Sequence, residues 1–270
     1  MNLVSSILRS LAKPIAKPFF LNLFNLFQHC QSASSPTAIL TYHSLDESGS
    51  VISLSPEKFY RQMKFLHSRG YRVYTLKEYA ELLGKRQPVI KPSVVLTFDD
   101  GYANFMEEAY PILRKYNYRA TVFIQTDYIG KRSSFTLDLD LPLMGPEAIA
   151  LLAVEGFEIG SHTLSHSSLP RISLTRAEIE IARSKEVLEN LTGRKVHSFC
   201  YPRGEYNREI IELVKKTGYQ AAVTLNPGNK NSSDDLFALR RVTIRTRDEL
   251  AYFRVALGPF FDIYNRWFQL

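Results

Sequence analysis

From Thr37 onward the chain alternates short apolar runs with longer stretches in which apolar residues recur every three or four positions. The short runs are Ala38 to Tyr42, Arg72 to Leu76, Val94 to Phe98, Ala120 to Gln125, Phe157 to Ser161, Val196 to Tyr201, Gln220 to Leu225 and Ala238 to Ile244. Val94-Val95-Leu96 and Thr121-Val122-Phe123-Ile124 are continuous and rich in β-branched residues, the mark of strands covered on both faces, so a parallel sheet is expected. The intervening stretches carry helix ends. Ser55-Pro56 supplies an N-cap and a first-turn proline ahead of Phe59, Met63 and Leu66, with Gly70 as the stop. Thr175 with Glu178 predicts a capping box before Ile179, Ala182 and Val187, closed by Gly193. Asn207 opens another helix through Ile210, Ile211 and Val214, which Gly218 ends. No Pro/Ser-rich linker divides the chain after residue 37, so the alternation predicts an α/β fold, an irregular (β/α) barrel of seven or eight units forming one domain over residues 37–247. The longest insertion, Asp127 to Pro146, is expected at the active face.

The two ends break this rhythm. Residues 1–36 hold Arg9, Lys13 and Lys17 but no acid, the first being Asp46. Read as a signal peptide they match poorly, because the apolar stretch Phe19 to Phe27 is short and broken by Asn22 and Asn25. Pro14 and Pro18 also interrupt it, and it is too short to span a bilayer. Two readings remain, a helix lying in a membrane interface and a helix packed on the domain. Residues 248–270 carry Phe253, Leu257, Phe260, Phe261, Tyr264, Trp267 and Phe268, which either bury against the barrel or meet a membrane or partner. Together the ends predict peripheral membrane contact and a place at the cell envelope or a membrane, with the cytoplasmic face also open.

Composition narrows the function classes. At 270 residues, 45% apolar and 23% charged, the chain is an ordinary globular one. The balance of 34 Lys+Arg to 27 Asp+Glu leaves +7, spread without a basic and aromatic stripe, so a nucleic-acid partner is not expected. Cys30 and Cys200 fit neither a CxxC nor a Cys/His zinc spacing and read as free thiols.

In a parallel barrel the active site is built at the carboxyl ends of the strands. Reactive side chains fall there repeatedly: His43, Asp99 and Asp100, His162 and His166, and Pro202-Arg203-Gly204. Singly, Asp99-Asp100-Gly101 also reads as a turn with a helix N-cap, and His162 as a core histidine. In Ser161-His162-Thr163-Leu164-Ser165-His166, however, the four-residue spacing places both imidazoles on one side of a helical turn, in reach of one ion. An Asp from a neighbouring strand end completes two histidines and a carboxylate, which suits Zn²⁺ or another first-row divalent metal. The second aspartate can then take a proton from water, a hydrolase logic.

Thr97-Phe98-Asp99-Asp100-Gly101-Tyr102 and Ser161 to His166 resemble the first two motifs of the polysaccharide deacetylase family, the NodB-homology domain of carbohydrate esterases. They stand in the right order about sixty residues apart, and further similarity runs from about residue 37 to 245. The resemblance implies Asp99 as general base and Asp100, His162 and His166 as ligands of a divalent metal, Zn²⁺ first, with Co²⁺, Ni²⁺ or Mn²⁺ as options. The third motif reads Cys200-Tyr201-Pro202-Arg203-Gly204, with Cys200 where the family places an arginine. Arg241 on the last strand is the candidate replacement, and the alternative for it is an ordinary surface arginine. The backbone N–H of Arg203 is implied as an oxyanion donor. The family's late Leu-x-His motif has no counterpart, since no histidine follows His197, but Tyr42-His43 resembles the permuted version of the poly-N-acetylglucosamine deacetylases. First and last strands are neighbours in a closed barrel, so His43 is expected as the general acid. The implied activity is removal of N-acetyl groups from an N-acetylated glycan or polysaccharide, releasing acetate. The alternatives are a glycan O-acetyl esterase using the same residues and a catalytically inactive glycan-binding relative.

Overall fold

A computed structural model describes residues 36–133, 140–246 and 249–268. The basic N-terminal segment, but for Pro36, lies outside the described residues, as do Cys30 and the middle of the Asp127 to Pro146 insertion. In chain order the strands are β1 (Ala38–Tyr42), the two-residue pair β2 (Ser44–Leu45) and β3 (Ser53–Leu54), β4 (Arg72–Tyr74), β5 (Ser93–Phe98), β6 (Thr121–Ile124), β7 (Glu158–Ser161), β8 (Ser198–Cys200), β9 (Ala221–Pro227) and β10 (Leu239–Thr243). The α-helices are α1 (Pro56–Ser68), α2 (Leu76–Gly84), α3 (Tyr110–Lys115), α4 (Pro146–Val154), α5 (Leu174–Thr192), α6 (Arg208–Lys216), α7 (Leu250–Leu257) and α8 (Phe261–Phe268).

Seven parallel strands close the barrel in the order β1-β10-β9-β8-β7-β6-β5, with β5 returning to β1 over Ala38 to Tyr42. The eighth expected strand, β4, pairs with β5 at Ser93 to Val95, whereas β6 joins β5 only at Thr97 and Phe98. It therefore shares an edge of β5 and stands outside the ring. Both faces of the strands are buried, which is why they read as continuous apolar runs. Tyr42 and Phe98 stack at 5.1 Å on the outer face, and Phe59 of α1 meets both rings edge-on at 5.2 and 5.7 Å. Truncating Phe59 to alanine would cost about 3–5 kcal/mol.

Period two sets what points inward. Ile39, Val95, Phe123, Val223 and Leu239 form the barrel's inner apolar cluster, and the same parity continued toward the carboxyl ends reaches His43, Asp99, Gln125 and Arg241. Gly160 on β7 lies against that cluster, where a Cβ would stand 2.4 Å from a Phe123 ring carbon, so the Phe123 ring occupies the space that glycine leaves.

Two local expectations are corrected. The α5 N-cap is Ser173, whose side chain accepts from the Arg176 N–H, so Thr175 lies inside the first turn and the Thr175/Glu178 capping box does not form. Ser55, Asn207 and Gly193 cap their helices as expected. Residues 162–168 are irregular rather than a helical turn. At the C-terminus Phe253, Leu257, Phe261 and Tyr264 are buried while Ile263 and Trp267 are exposed. Among the described residues no helix is long and apolar enough to cross a membrane.

Candidate active site

The strand ends bring His43, Asp99, Asp100, His162, His166 and Arg203 to one cleft of about 290 Å³, and Arg241 is buried beside Asp99 without lining it. Asp99 and Asp100 follow β5, His162 and His166 follow β7, His43 follows β1 and Arg203 follows β8. Ile52, Tyr201 and Leu225 complete its wall. A larger cleft of about 500 Å³ opens at the other end of the barrel. Its half-buried Glu158 is already engaged by Thr121, Ser198 and the Lys77 N–H.

Arg241 is a buried residue, not a surface one, with 1% of its area exposed. Its guanidinium donates to both Asp99 carboxylate oxygens at 2.7 Å, to Thr224 O at 2.8 Å and to Thr97 Oγ1 at 3.1 Å. Such a two-pronged pair fixes the carboxylate plane as well as its charge. Cys200 lies beside it, with Sγ 3.2 Å from Arg241 Nη2 and 3.5 Å from Asp99 Oδ2. Burial by itself would raise the Asp99 pKa. The adjoining guanidinium, helped by His43 and His162, outweighs that and holds the carboxyl well below the usual carboxylate range.

Asp100 is its opposite. Burial and the charge of Asp99 push it up to about 8, against the pull of a hydrogen bond from Gln125 Nε2 to Oδ1 at 2.5 Å. Both histidines have lowered pKa values, chiefly through burial, and so are neutral. His162 Nδ1 lies 2.8 Å from the Cys200 carbonyl oxygen, which can only accept, so Nδ1 carries the proton and Nε2 the lone pair. That lone pair faces Asp100 Oδ1 at 3.5 Å, and His166 Nε2 faces the same oxygen at 3.7 Å. The three donor atoms lie within 4.8 Å of one another. Three electron-rich atoms converging in a buried place call for a positive charge between them, and the donor set fits a divalent metal.

The imidazoles converge through backbone strain rather than helical spacing. Thr163 and His166 adopt φ of 70° and 59°, the left-handed region that β-branched residues avoid. The loop is tied down from both sides. Thr126 N and Asp127 N donate to Thr163 O and Leu164 O, and the His166 N–H donates to Thr163 Oγ1 at 3.0 Å. Fully buried Glu180 of α5 accepts from Leu164 N at 3.0 Å and Ser165 N at 2.9 Å.

His43 Nε2 stands 4.0 Å from Asp99 Oδ2, and burial lowers its pKa to about 4 although Asp99 opposes this. Arg203 sits at φ 57° in the turn after β8. Gly204 next to it, at φ 69°, passes so close to β9 that a Cβ would lie 2.6 Å from Leu225 N.

Gln125 and Glu180 were not singled out by sequence reasoning. Both left a signal: Gln125 is a polar residue at an inward position ending an apolar strand, and Glu180 lies on the face of α5 that buries Ala177, Ile181, Ser184 and Leu188.

Comparison with known proteins follows the same lines. Residues 86–222 match the family model for polysaccharide deacetylase. The chain is 34% identical over 206 residues to YxkH of Bacillus subtilis (strain 168), a protein named after the polysaccharide deacetylases, covering 76% of this chain and 70% of the relative. It is 27% identical over 198 residues to poly-β-1,6-N-acetyl-D-glucosamine N-deacetylase of Staphylococcus aureus, covering 71% of this chain and 68% of that one. Among solved structures, a Bacillus cereus polysaccharide deacetylase superposes with a TM-score of 0.71 at 28% identity, covering 83% of this chain and 69% of that one. The Streptococcus pyogenes deacetylase PplD shares the fold with a TM-score of 0.74 at 24% identity, over 83% of this chain and 99% of its own.

Proposed function

Because this chain belongs to the polysaccharide deacetylase family of hydrolases, we propose that it removes N-acetyl groups from a glycan containing N-acetylated hexosamine, with Asp100, His162 and His166 holding a divalent metal, Zn²⁺ before Co²⁺, Ni²⁺ or Mn²⁺. The observation that carries this is the convergence of those three donor atoms next to an Asp99 locked by Arg241. When bound, the cation supplies Lewis-acid chemistry, making water more acidic and polarising the acetyl carbonyl.

Asp99 takes the proton of the attacking water. Arg241 keeps that carboxylate ionised and aimed, and in doing so makes it a weak base that surrenders the proton readily. His43 Nε2, 4.0 Å from Asp99 Oδ2, is placed to receive it and deliver it to the departing amine, which is too basic to leave as an anion. The Arg203 backbone N–H is assigned to the oxyanion that develops on the acetyl group, a contact worth on the order of 10²-fold in rate.

The test is acetate release from N-acetylglucosamine oligomers by protein stripped with chelator and reloaded with Zn²⁺ or Co²⁺, beside Asp99→Asn and His43→Ala. Release that needs the metal and is lost in Asp99→Asn is the expected result. Release only from an O-acetylated glycan would replace this reading with an esterase, and glycan binding without any release would replace it with an inactive binder. The S. aureus relative is named for poly-β-1,6-N-acetyl-D-glucosamine, which makes that polymer the first to try.

A further inference from the structure

Three clefts lie in series along one rim of the barrel. Tyr201 lines the catalytic cleft, and its ring stacks on that of Tyr206 at 5.1 Å and 26°. Tyr206 in turn lines a second cleft of about 400 Å³ with Arg171, Glu205 and Asn226. Asn226 is shared with a third, of about 460 Å³, whose far wall is Asp262, Asn265 and Arg266 of α8. The segment Leu225-Asn226-Pro227 at the end of β9 thus joins all three. Residues 262, 265 and 266 lie three and four apart and so share one helix face, while Phe261 and Tyr264 are buried.

We propose that this rim is a track for the glycan chain beyond the reacting sugar, running from the catalytic cleft over Tyr206 and Asn226 to α8, and that it takes a polyhydroxylated polymer bearing acetamido groups. The inference rests on the deacetylase reading above and extends it from the reacting sugar to its neighbours. Tyr206 gives the track an aromatic surface for the C–H faces of a pyranose. The Asn226 Nδ2 donates to the Tyr206 hydroxyl oxygen at 2.9 Å, which leaves the hydroxyl proton to be donated elsewhere. Asp262 lines the third cleft, and its buried Oδ1 is an acceptor with no hydrogen-bond partner among the described residues. Cations and carboxylates alternate along the track, with Arg240 and Arg266 beside Asp262 in the third cleft. Arg171 and Glu205 form an ion pair at 3.2 Å, and Asp262 sits one turn from Arg266. Donors and acceptors interleaved around an aromatic ring match hydroxyl and acetamido groups.

The test uses metal-loaded full-length protein and N-acetylglucosamine oligomers of two and six units. For the unaltered protein kcat/KM should rise at least about tenfold from dimer to hexamer. In Tyr206→Ala the hexamer value should fall about tenfold through KM, and the length dependence should flatten, since a tenfold change corresponds to one good contact of about 1.4 kcal/mol. Asp262→Asn, which keeps the shape of the side chain, should flatten it more weakly and covers the case in which Tyr206→Ala fails to fold. A flat length dependence in the unaltered protein, or a hexamer preference that both variants keep, overturns the track while leaving the deacetylase in place. Absence of acetate release at every length overturns the deacetylase reading and the track with it.

Discussion

Replacing Arg241 with methionine keeps the length of the side chain and removes its charge, leaving Asp99 as a carboxylate 2% exposed with no cation to face it. Breaking one side of a buried ion pair costs about 3–5 kcal/mol. Arg241 also donates to Thr224 O and Thr97 Oγ1, and losing those two hydrogen bonds adds about 1 kcal/mol each. A loss of about 5 kcal/mol at pH 8 is expected, large against the total stability of a domain. Asp99→Asn alone leaves the guanidinium buried and should cost about 3 kcal/mol. The double variant removes both charges, so it should lose far less than the sum, with a coupling of about 3 kcal/mol.

The pH dependence separates this account from a packing defect. In the unaltered protein the Asp99 pKa is depressed, so its contribution is complete above the unfolded value and is lost only as pH falls through the folded one. Between pH 8 and 5 that contribution is constant. Without Arg241, burial is left to raise the Asp99 pKa, and the folded variant then gains a proton that the unfolded chain does not bind. The gap between the two proteins should narrow as pH falls from 8 to 5. Urea unfolding of chelated protein at both pH values, for both single variants and the double, measures all of this. Additive losses to within about 0.5 kcal/mol, with a gap that ignores pH, would refute the argument.

Glu180→Ala should weaken Zn²⁺ binding about 10–100-fold by freeing the backbone between His162 and His166, and titration calorimetry showing full affinity would contradict that role. Gly204→Ala should cost about 2–3 kcal/mol, from the positive φ and the Leu225 backbone in the way of its Cβ; a thermal midpoint equal to that of the unaltered protein would count against it. The His43 pKa is lowered to about 4, so between that value and about 6.5 the unfolded state binds a proton that the folded state refuses. Stability from this residue is therefore complete above about pH 6.5 and declines toward pH 4 by up to about 3 kcal/mol. The stability of chelated protein minus that of His43→Gln should drop by this amount across the window, and a constant difference would exclude a buried neutral His43.

The period of the chain made the barrel legible, because strands buried on both faces leave continuous apolar runs and helices do not. The ring count was less so: β4 looks like any other strand, and only its pairing with the lower half of β5 places it outside the ring. Among the site residues, those in dense motifs could be read directly, and the parity of β1, β5 and β10 explains why His43, Asp99 and Arg241 meet. The loop from His162 to His166 misled, since a spacing of four suggests a helix, while the convergence comes from left-handed residues held by a glutamate fifteen and sixteen positions away from the amides it accepts. Local periodicity cannot report a contact whose second partner lies on another element.

The same geometry accommodates Cys200 at the place where the resemblance implies an arginine. β8 and β10 are not neighbours, since β9 stands between them, yet both aim side chains into one interior that Asp99 also enters from β5. Inside a closed ring, a guanidinium reaching the carboxylate from either strand satisfies the same charge, and the position it leaves needs only a small side chain. Cys200 is that side chain. Its thiol fills the space next to Arg241 Nη2, and burial raises its pKa far enough to keep it uncharged, so it adds no second anion beside Asp99. Arg241 also stands over the ring of Phe123 on β6, with its guanidinium carbon 5.9 Å from the centroid, which gives the cation a face to rest on. In this chain the positive charge beside Asp99 comes from β10 and the thiol from β8, because strands that are not neighbours can still meet at one point inside a closed sheet.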